Sequence, residues 1–256
     1  MVKIFQLFLS CLIAFLISTG SYADDKADHR ELLSNHYRLQ KPDGRGPFPA
    51  VILVPGCSGF DVNFAKGHYD GVQSQLVEMG FVTLRVNYLA VRDVPICWPR
   101  VSTEDIASDI RIAAEYLRQQ PFVKKGAINV MGWSYGGAGA LQALSLTEGR
   151  DPVQVNAVVV YYPACEHTQK WDSEITVPVL VLVGKIDDTA PFWQCEEPFG
   201  DMTKRHNLTV REYENAHHCF DISALPAEKQ YRFGTIGYNE VAAKSAWIEV
   251  TKFLHK

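Results

Sequence analysis

Gly132-Trp133-Ser134-Tyr135-Gly136 holds a serine with glycine two residues to either side. A hydroxyl is a poor nucleophile until a base takes its proton, so such a serine does chemistry only when held exposed beside a base. A sharp strand-to-helix turn achieves this, and the flanking glycines let neighbouring backbone pass close. The string alone is weak; its setting is stronger. It directly follows the apolar run Ile128-Asn129-Val130-Met131 and leads into Gly137-Ala138-Gly139, which reads as a helix start. The bland alternative is a glycine-rich helix start whose serine only caps.

The partners of such a serine should follow in the order acid, then histidine, each at the end of a strand. After the apolar run Val179 to Val183 come Gly184-Lys185-Ile186-Asp187-Asp188, which offer Asp187 with Asp188 as its rival. After Leu208 to Tyr213 come Ala216-His217-His218-Cys219-Phe220, and spacing alone does not choose between the two histidines. His29, His36, His68, His167, His206 and His255 read as solvated surface residues. Two backbone N–H groups must also face the oxygen that gains charge. The candidates are Tyr135, which follows the serine, and Cys57, in the turn Pro55-Gly56-Cys57-Ser58-Gly59. Trp133, Tyr135, Trp98 and Phe192 are candidate walls of an aromatic pocket. Arg92 and Arg100 could receive a carboxylate, or could equally be surface arginines.

Strands alternating with helices must carry these residues. Ala50–Val54, Phe81–Val86, Ala127–Met131, Val155–Tyr162 and Val177–Val183 are short, apolar, β-branched runs bounded by glycine or proline, the pattern of buried parallel strands. Leu208–Tyr213 is a further strand, and His36–Leu39 a candidate edge strand. Ile106, Ile110, Ala113, Ala114 and Leu117 mark one face of a helix opened by Ser102 and Thr103 and ended before Pro121. Ala138–Leu146 and Asn239–Leu254 read as two more helices. The fold class is α/β, a mostly parallel central sheet with helices on both faces.

The 256 residues, 47% hydrophobic and 21% charged, suffice for one core. A net charge of -4 points away from nucleic acid and from anionic membranes. Lys3, the apolar stretch Ile4–Ile17 and the small residues Ser21 and Ala23 flanking Tyr22 have the layout of a cleaved signal peptide over residues 1–23. The apolar stretch falls short of the ~20 residues a membrane span needs. Residues 24–256 then form a single domain that is periplasmic or secreted, with no stable membrane association after cleavage. Removing Cys11 leaves Cys57, Cys97, Cys165, Cys195 and Cys219, an odd number with no metal-type spacing. No metal and no cofactor is expected, and the oligomeric state stays open.

Taken together, these segments resemble the dienelactone hydrolase family of α/β hydrolases. The matching pieces are residues 55–59, Gly132–Gly137, Tyr161-Tyr162-Pro163-Ala164-Cys165, Gly184–Pro191, Ala216–Asp221 and the closing Tyr238–Ala243 with its helix. The resemblance spans about residues 30 to 255. It implies Ser134, Asp187 and His218 as a catalytic triad, since the family places its histidine just before a small residue and Phe. Members that open dienelactones use a cysteine nucleophile and a glutamate in the oxyanion turn. Ser134 and Gly56 stand there in this chain, which instead resembles the broader esterase-like relatives. The resemblance also implies the disulfides Cys57–Cys97 and Cys165–Cys195, with Cys219 free.

The implied reaction is two-step acyl transfer from a small ester or lactone through an acyl-enzyme on Ser134. Gly-Trp-Ser-Tyr-Gly-Gly occurs as well in prolyl-oligopeptidase-type serine peptidases, a rival reading that lacks room here for a peptide-sieving propeller. A non-catalytic secreted binding protein is the rival from another class.

Overall fold

A computed structural model describes residues 28–145, 153–166, 168, 175–196, 200 and 206–255. The segment read as a signal peptide lies outside the described residues, as does His167. Among the described residues no helix is long and apolar enough to cross a membrane.

Seven strands form one sheet in the order β1-β3-β2-β4-β5-β6-β7: β1 (Arg38–Gln40), β2 (Phe48–Val54), β3 (Val82–Arg85), β4 (Val123–Trp133), β5 (Ala157–Tyr161), β6 (Val179–Gly184) and β7 (Leu208–Tyr213). Only β1, at the edge, is antiparallel to its neighbour; the other pairings are parallel. Strands buried on both faces read as continuous apolar runs, and β2 shows why. Val51 and Leu53 point into one core with Met131 and Trp133, while Ile52 and Val54 point into the other with Ile106 and Ala138.

Helices cover both faces. Residues 28–35 form α1; α2 (His68–Glu78), α3 (Thr103–Gln119), α4 (Ser134–Gln142) and α5 (Glu240–Leu254) follow. α3 and α4 pack into the core that contains Ile52, and α2 and α5 into the one that contains Leu53. Ser102 caps α3 in a reciprocal box with Asp105, as the sequence signature requires. Asn239 caps α5.

Some boundaries differ from expectation. α4 starts at the serine itself, not at Ala138, because the turn that exposes Ser134 is already the first turn of the helix. α2 has no counterpart in the sequence reading. Its buried face, Tyr69, Val72, Gln73 and Leu76, includes a glutamine that dilutes the apolar periodicity. The small hairpin β8 (Lys229–Tyr231) and β9 (Gly234–Ile236) was likewise not anticipated. Both disulfides are formed, Cys57–Cys97 and Cys165–Cys195, and Cys219 is free and buried. Two structural disulfides suit an extracellular or periplasmic compartment.

Candidate active site

Ser134 sits where β4 becomes α4, in the left-handed region at φ 50°. A non-glycine residue held there stores strain of about 1–3 kcal/mol, which the surroundings must hold in place. They do so by close packing. A Cβ on Gly132 would lie 2.7 Å from the Gly136 carbonyl oxygen, and one on Gly136 would collide with the Pro55 carbonyl. The second glycine therefore lets the end of β2 lie directly on the first turn of α4. A Cβ on Gly56 would stand 3.4 Å from the Ser134 Cβ, so the turn after β2 borders the serine.

That turn is anchored from both sides. The Tyr69 hydroxyl accepts from the Gly56 N–H at 3.2 Å, and the Tyr88 hydroxyl donates to the Gly56 carbonyl at 2.8 Å. The Cys97 N–H donates to the Cys57 carbonyl at 3.0 Å, alongside the disulfide. Tyr135 is the second residue of α4, so its N–H belongs to the helix turn that has no intrahelical acceptor. The positive end of the helix dipole lies at the same place.

Three side chains separated along the chain form one hydrogen-bonded line. His218 Nε2 lies 2.9 Å from Ser134 Oγ, and His218 Nδ1 lies 2.7 Å from Asp187 Oδ2. The other Asp187 oxygen, Oδ1, accepts from the Thr189 and Ala190 N–H groups at 2.9 and 2.8 Å. Burial pushes the Asp187 carboxyl up, but His218 and the two amides outweigh it and hold the carboxyl below its ordinary value. Asp188, its rival, turns away: it accepts from the Thr235 N–H at 2.7 Å and ties the β8–β9 hairpin to the loop. His217 does not join the line, and its Nδ1 is buried without a partner. Cys219 is no rival nucleophile. Burial, with the nearby Asp221 and Asp187, pushes its thiol well above the usual value, so it stays protonated.

Two expected pocket residues are placed differently. Trp133 is 1% exposed. It is the last residue of a strand, pointing away from α4 into the core, where it stacks on Tyr161 with centroids 5.6 Å apart. Arg92 is no open receiver for a carboxylate. Its guanidinium makes a bidentate pair with the fully buried Asp109, at 2.6 and 3.2 Å, and donates to the Tyr88 carbonyl. It fastens the loop after β3 to α3. Trp98 remains half-exposed beside Cys97.

The sequence reading missed Asp221, Tyr162 and His68. Asp221 receives the Trp133 Nε1–H at 2.8 Å and the Tyr162 O–H at 2.5 Å, and His68 Nε2 lies 3.3 Å from it. The Tyr162 ring packs against the His218 ring at a tilt of 57°, with centroids 4.5 Å apart. His68, expected at the surface, is the first residue of α2, with its side chain only 8% exposed. The only signal was a lone aspartate three residues after His218.

The parallel sheet, the strained serine elbow and the acid and histidine on loops after later strands define an α/β hydrolase. The family model for the dienelactone hydrolase family matches residues 36–256. The chain therefore belongs to the dienelactone hydrolase family, and it is a carboxylic ester hydrolase acting on esters or lactones. A Bradyrhizobium protein named as a probable 2-oxo-3-(5-oxofuran-2-ylidene)propanoate lactonase is 24% identical over 233 residues, covering 82% of this chain and 84% of its own. Among solved structures, a dienelactone hydrolase-like promiscuous phosphotriesterase from metagenomic libraries superposes with a TM-score of 0.65 at 16% identity, over 86% of this chain and 91% of its own. Esterase 2 of Thermogutta terrifontis, phosphorylated by paraoxon, gives 0.59 at 18% identity, over 85% and 87%.

Proposed function

We propose that Ser134 is the nucleophile of a serine esterase or lactonase, with His218 as general base and Asp187 as the acid that orients it. The observation that carries this reading is the continuous Ser134–His218–Asp187 hydrogen-bonded line on a strained elbow. His218 takes the Ser134 proton as Oγ bonds to the substrate carbonyl carbon. The Cys57 and Tyr135 amides hold the resulting oxyanion. The intermediate collapses, the bond to the leaving alkoxide breaks, and His218 passes its proton to that oxygen. Water then repeats the sequence on the acyl-enzyme, with His218 again as base, and frees the acid. For a lactone, the leaving hydroxyl stays tethered to the acyl group. The name of the Bradyrhizobium relative favours lactones within the substrate panel.

Asp187 fixes the imidazole with Nδ1 protonated and Nε2 free to accept, and it stabilises the imidazolium that forms. Export is part of the proposal: cleavage after Ala23 would deliver a mature chain starting at Asp24 to a compartment in which both disulfides form.

The test is Ser134→Ala, assayed on p-nitrophenyl esters, lactones and an aminoacyl anilide. Loss of kcat by ~10⁴ or more on esters is expected, with little anilide turnover in the wild type. A variant that keeps most of its ester activity would remove Ser134 from the role. Covalent labelling by a fluorophosphonate, mapped to Ser134 by peptide mass, separates an enzyme from a binding protein that merely kept the fold.

A further inference from the structure

The carboxylate of Asp221, only 9% exposed, does nothing in the line just described, yet its partners flank that line on both sides. Its Oδ2 accepts from Trp133 Nε1–H at 2.8 Å, and Trp133 is the residue immediately before the nucleophile. Its Oδ1 accepts from the Tyr162 hydroxyl at 2.5 Å, and the Tyr162 ring lies 4.5 Å from the His218 imidazole. Asp221 is also only three residues beyond His218 in the chain, and the His218 carbonyl accepts from Gly237 N–H at 3.0 Å. On the far side, His68 of α2 approaches Oδ2 at 3.3 Å.

Tyr162 needs holding. Its φ is 36°, in the left-handed region that a large L-residue rarely adopts. Its N–H is bound to the Leu182 carbonyl of β6 at 2.7 Å, which fixes the backbone end of the residue. The Asp221 bond fixes the ring end. Between them, the ring is held in contact with His218, tilted 57° to the imidazole plane. Asp187 and Ser134 hold the imidazole by its two nitrogens alone, and the rest of the ring is placed by packing.

We propose that Asp221 is a positioning residue for the hydrolase reaction. By binding Trp133 and Tyr162 at once, it sets the relative placement of the nucleophile elbow and the His218 ring. The proposal rests on the reading of Ser134 and His218 as nucleophile and base. Both Asp221 oxygens face donors, so an ionised carboxylate is required. Burial raises the Asp221 carboxyl, but His68, Tyr162 and Trp133 outweigh it and keep the group below its ordinary value. An asparagine would turn an N–H₂ toward one of those donors and break one of the two links.

The test uses the full mature chain with a p-nitrophenyl ester. It compares wild type, Asp221→Asn, Tyr162→Phe and the double variant for kcat, KM, thermal midpoint and the rate of Ser134 labelling by a fluorophosphonate. Misplacing reacting groups by a fraction of an ångström lowers kcat while leaving substrate affinity alone, so a fall in kcat of about 10–100-fold is expected for Asp221→Asn, and a smaller one for Tyr162→Phe. KM should stay within about twofold, and labelling should slow in parallel with kcat. The double variant should lose less than the product of the two single losses, because both residues act in one network. The proposal is overturned by a folded Asp221→Asn with kcat within about twofold of wild type, or by losses that add in the double variant. If Asp221→Asn does not fold, Tyr162→Phe decides: unchanged kcat and labelling overturn the proposal, whereas slower labelling at an unchanged thermal midpoint supports it. Wild type that is not labelled at Ser134 would instead sink the underlying reading of the triad, so the two failures are distinguishable.

Discussion

The acid in the line is held ionised by competing forces, and this makes a quantitative expectation. Burial favours the neutral form of Asp187, while His218 and the Thr189 and Ala190 amides favour the charged form and prevail. A carboxyl whose folded value is depressed stabilises the fold above its unfolded value near 3.9, and that contribution is lost as pH falls through the folded value. Asp187→Asn should therefore be less stable than wild type at pH 7, and the gap should close as the pH drops below about 4. Urea midpoints at pH 7 and pH 3 check this; an equal gap at both would contradict it. In catalysis the same substitution leaves the geometry nearly intact but favours the wrong imidazole tautomer, so kcat should fall by about 10³–10⁴. The sequence offered Asp187 with Asp188 as its rival, and the family resemblance pointed to Asp187. Asp221 was not legible, because its partners are Trp133 at the end of β4 and Tyr162 just after β5, and only the folded sheet brings them together.

At the scale of elements, the turn after β2 and the start of α4 act as one unit. Gly136 allows the contact because nothing larger fits against the Pro55 carbonyl. Gly136→Ala should cost about 1–3 kcal/mol by forcing the two apart, and should lower kcat as well if the Cys57 and Tyr135 amides hold the oxyanion as proposed, because they would separate. A stable variant with wild-type kcat would show that the contact is slack. The strands themselves were readable from apolar runs, since parallel strands covered on both faces need no polar alternation. α2 was not readable. Its N-terminal residues His68 and Tyr69 act through side-chain polar atoms, and Gln73, buried at 1% exposure, donates to Thr83 Oγ1 at 3.0 Å rather than packing as a hydrophobe. A helix held by buried polar pairs carries a weak periodic signal. Trp133 was misplaced for a related reason: its position next to Ser134 suggested a pocket wall, but strand pleating points it to the opposite face.

Across the whole molecule, two covalent staples hold the loops at one edge of the sheet. Cys57–Cys97 joins the turn after β2 to the loop after β3, and Cys165–Cys195 joins the loops after β5 and β6. A non-reducing peptide map should recover these two links and leave Cys219 alkylatable only after unfolding, since the thiol is buried. A link from Cys219 to any other cysteine would contradict the arrangement. Replacing Cys57 and Cys97 by serine should cost about 2–4 kcal/mol, chiefly by freeing the unfolded chain. It should also lower kcat more than the corresponding change at Cys165 and Cys195, because Cys57 directly follows Gly56, which borders Ser134.

The one-dimensional chain determined the class of fold, the order serine, acid, histidine and the strand ends on which they stand. Those properties are local: apolar runs, glycines and the residues that follow them. What the tertiary structure alone decided is which side chains meet. Arg92 turned to Asp109, Trp133 to Asp221 and Asp188 to the hairpin, because a buried polar group must find its partner wherever packing puts one, and that partner is set by the sheet order rather than by sequence distance.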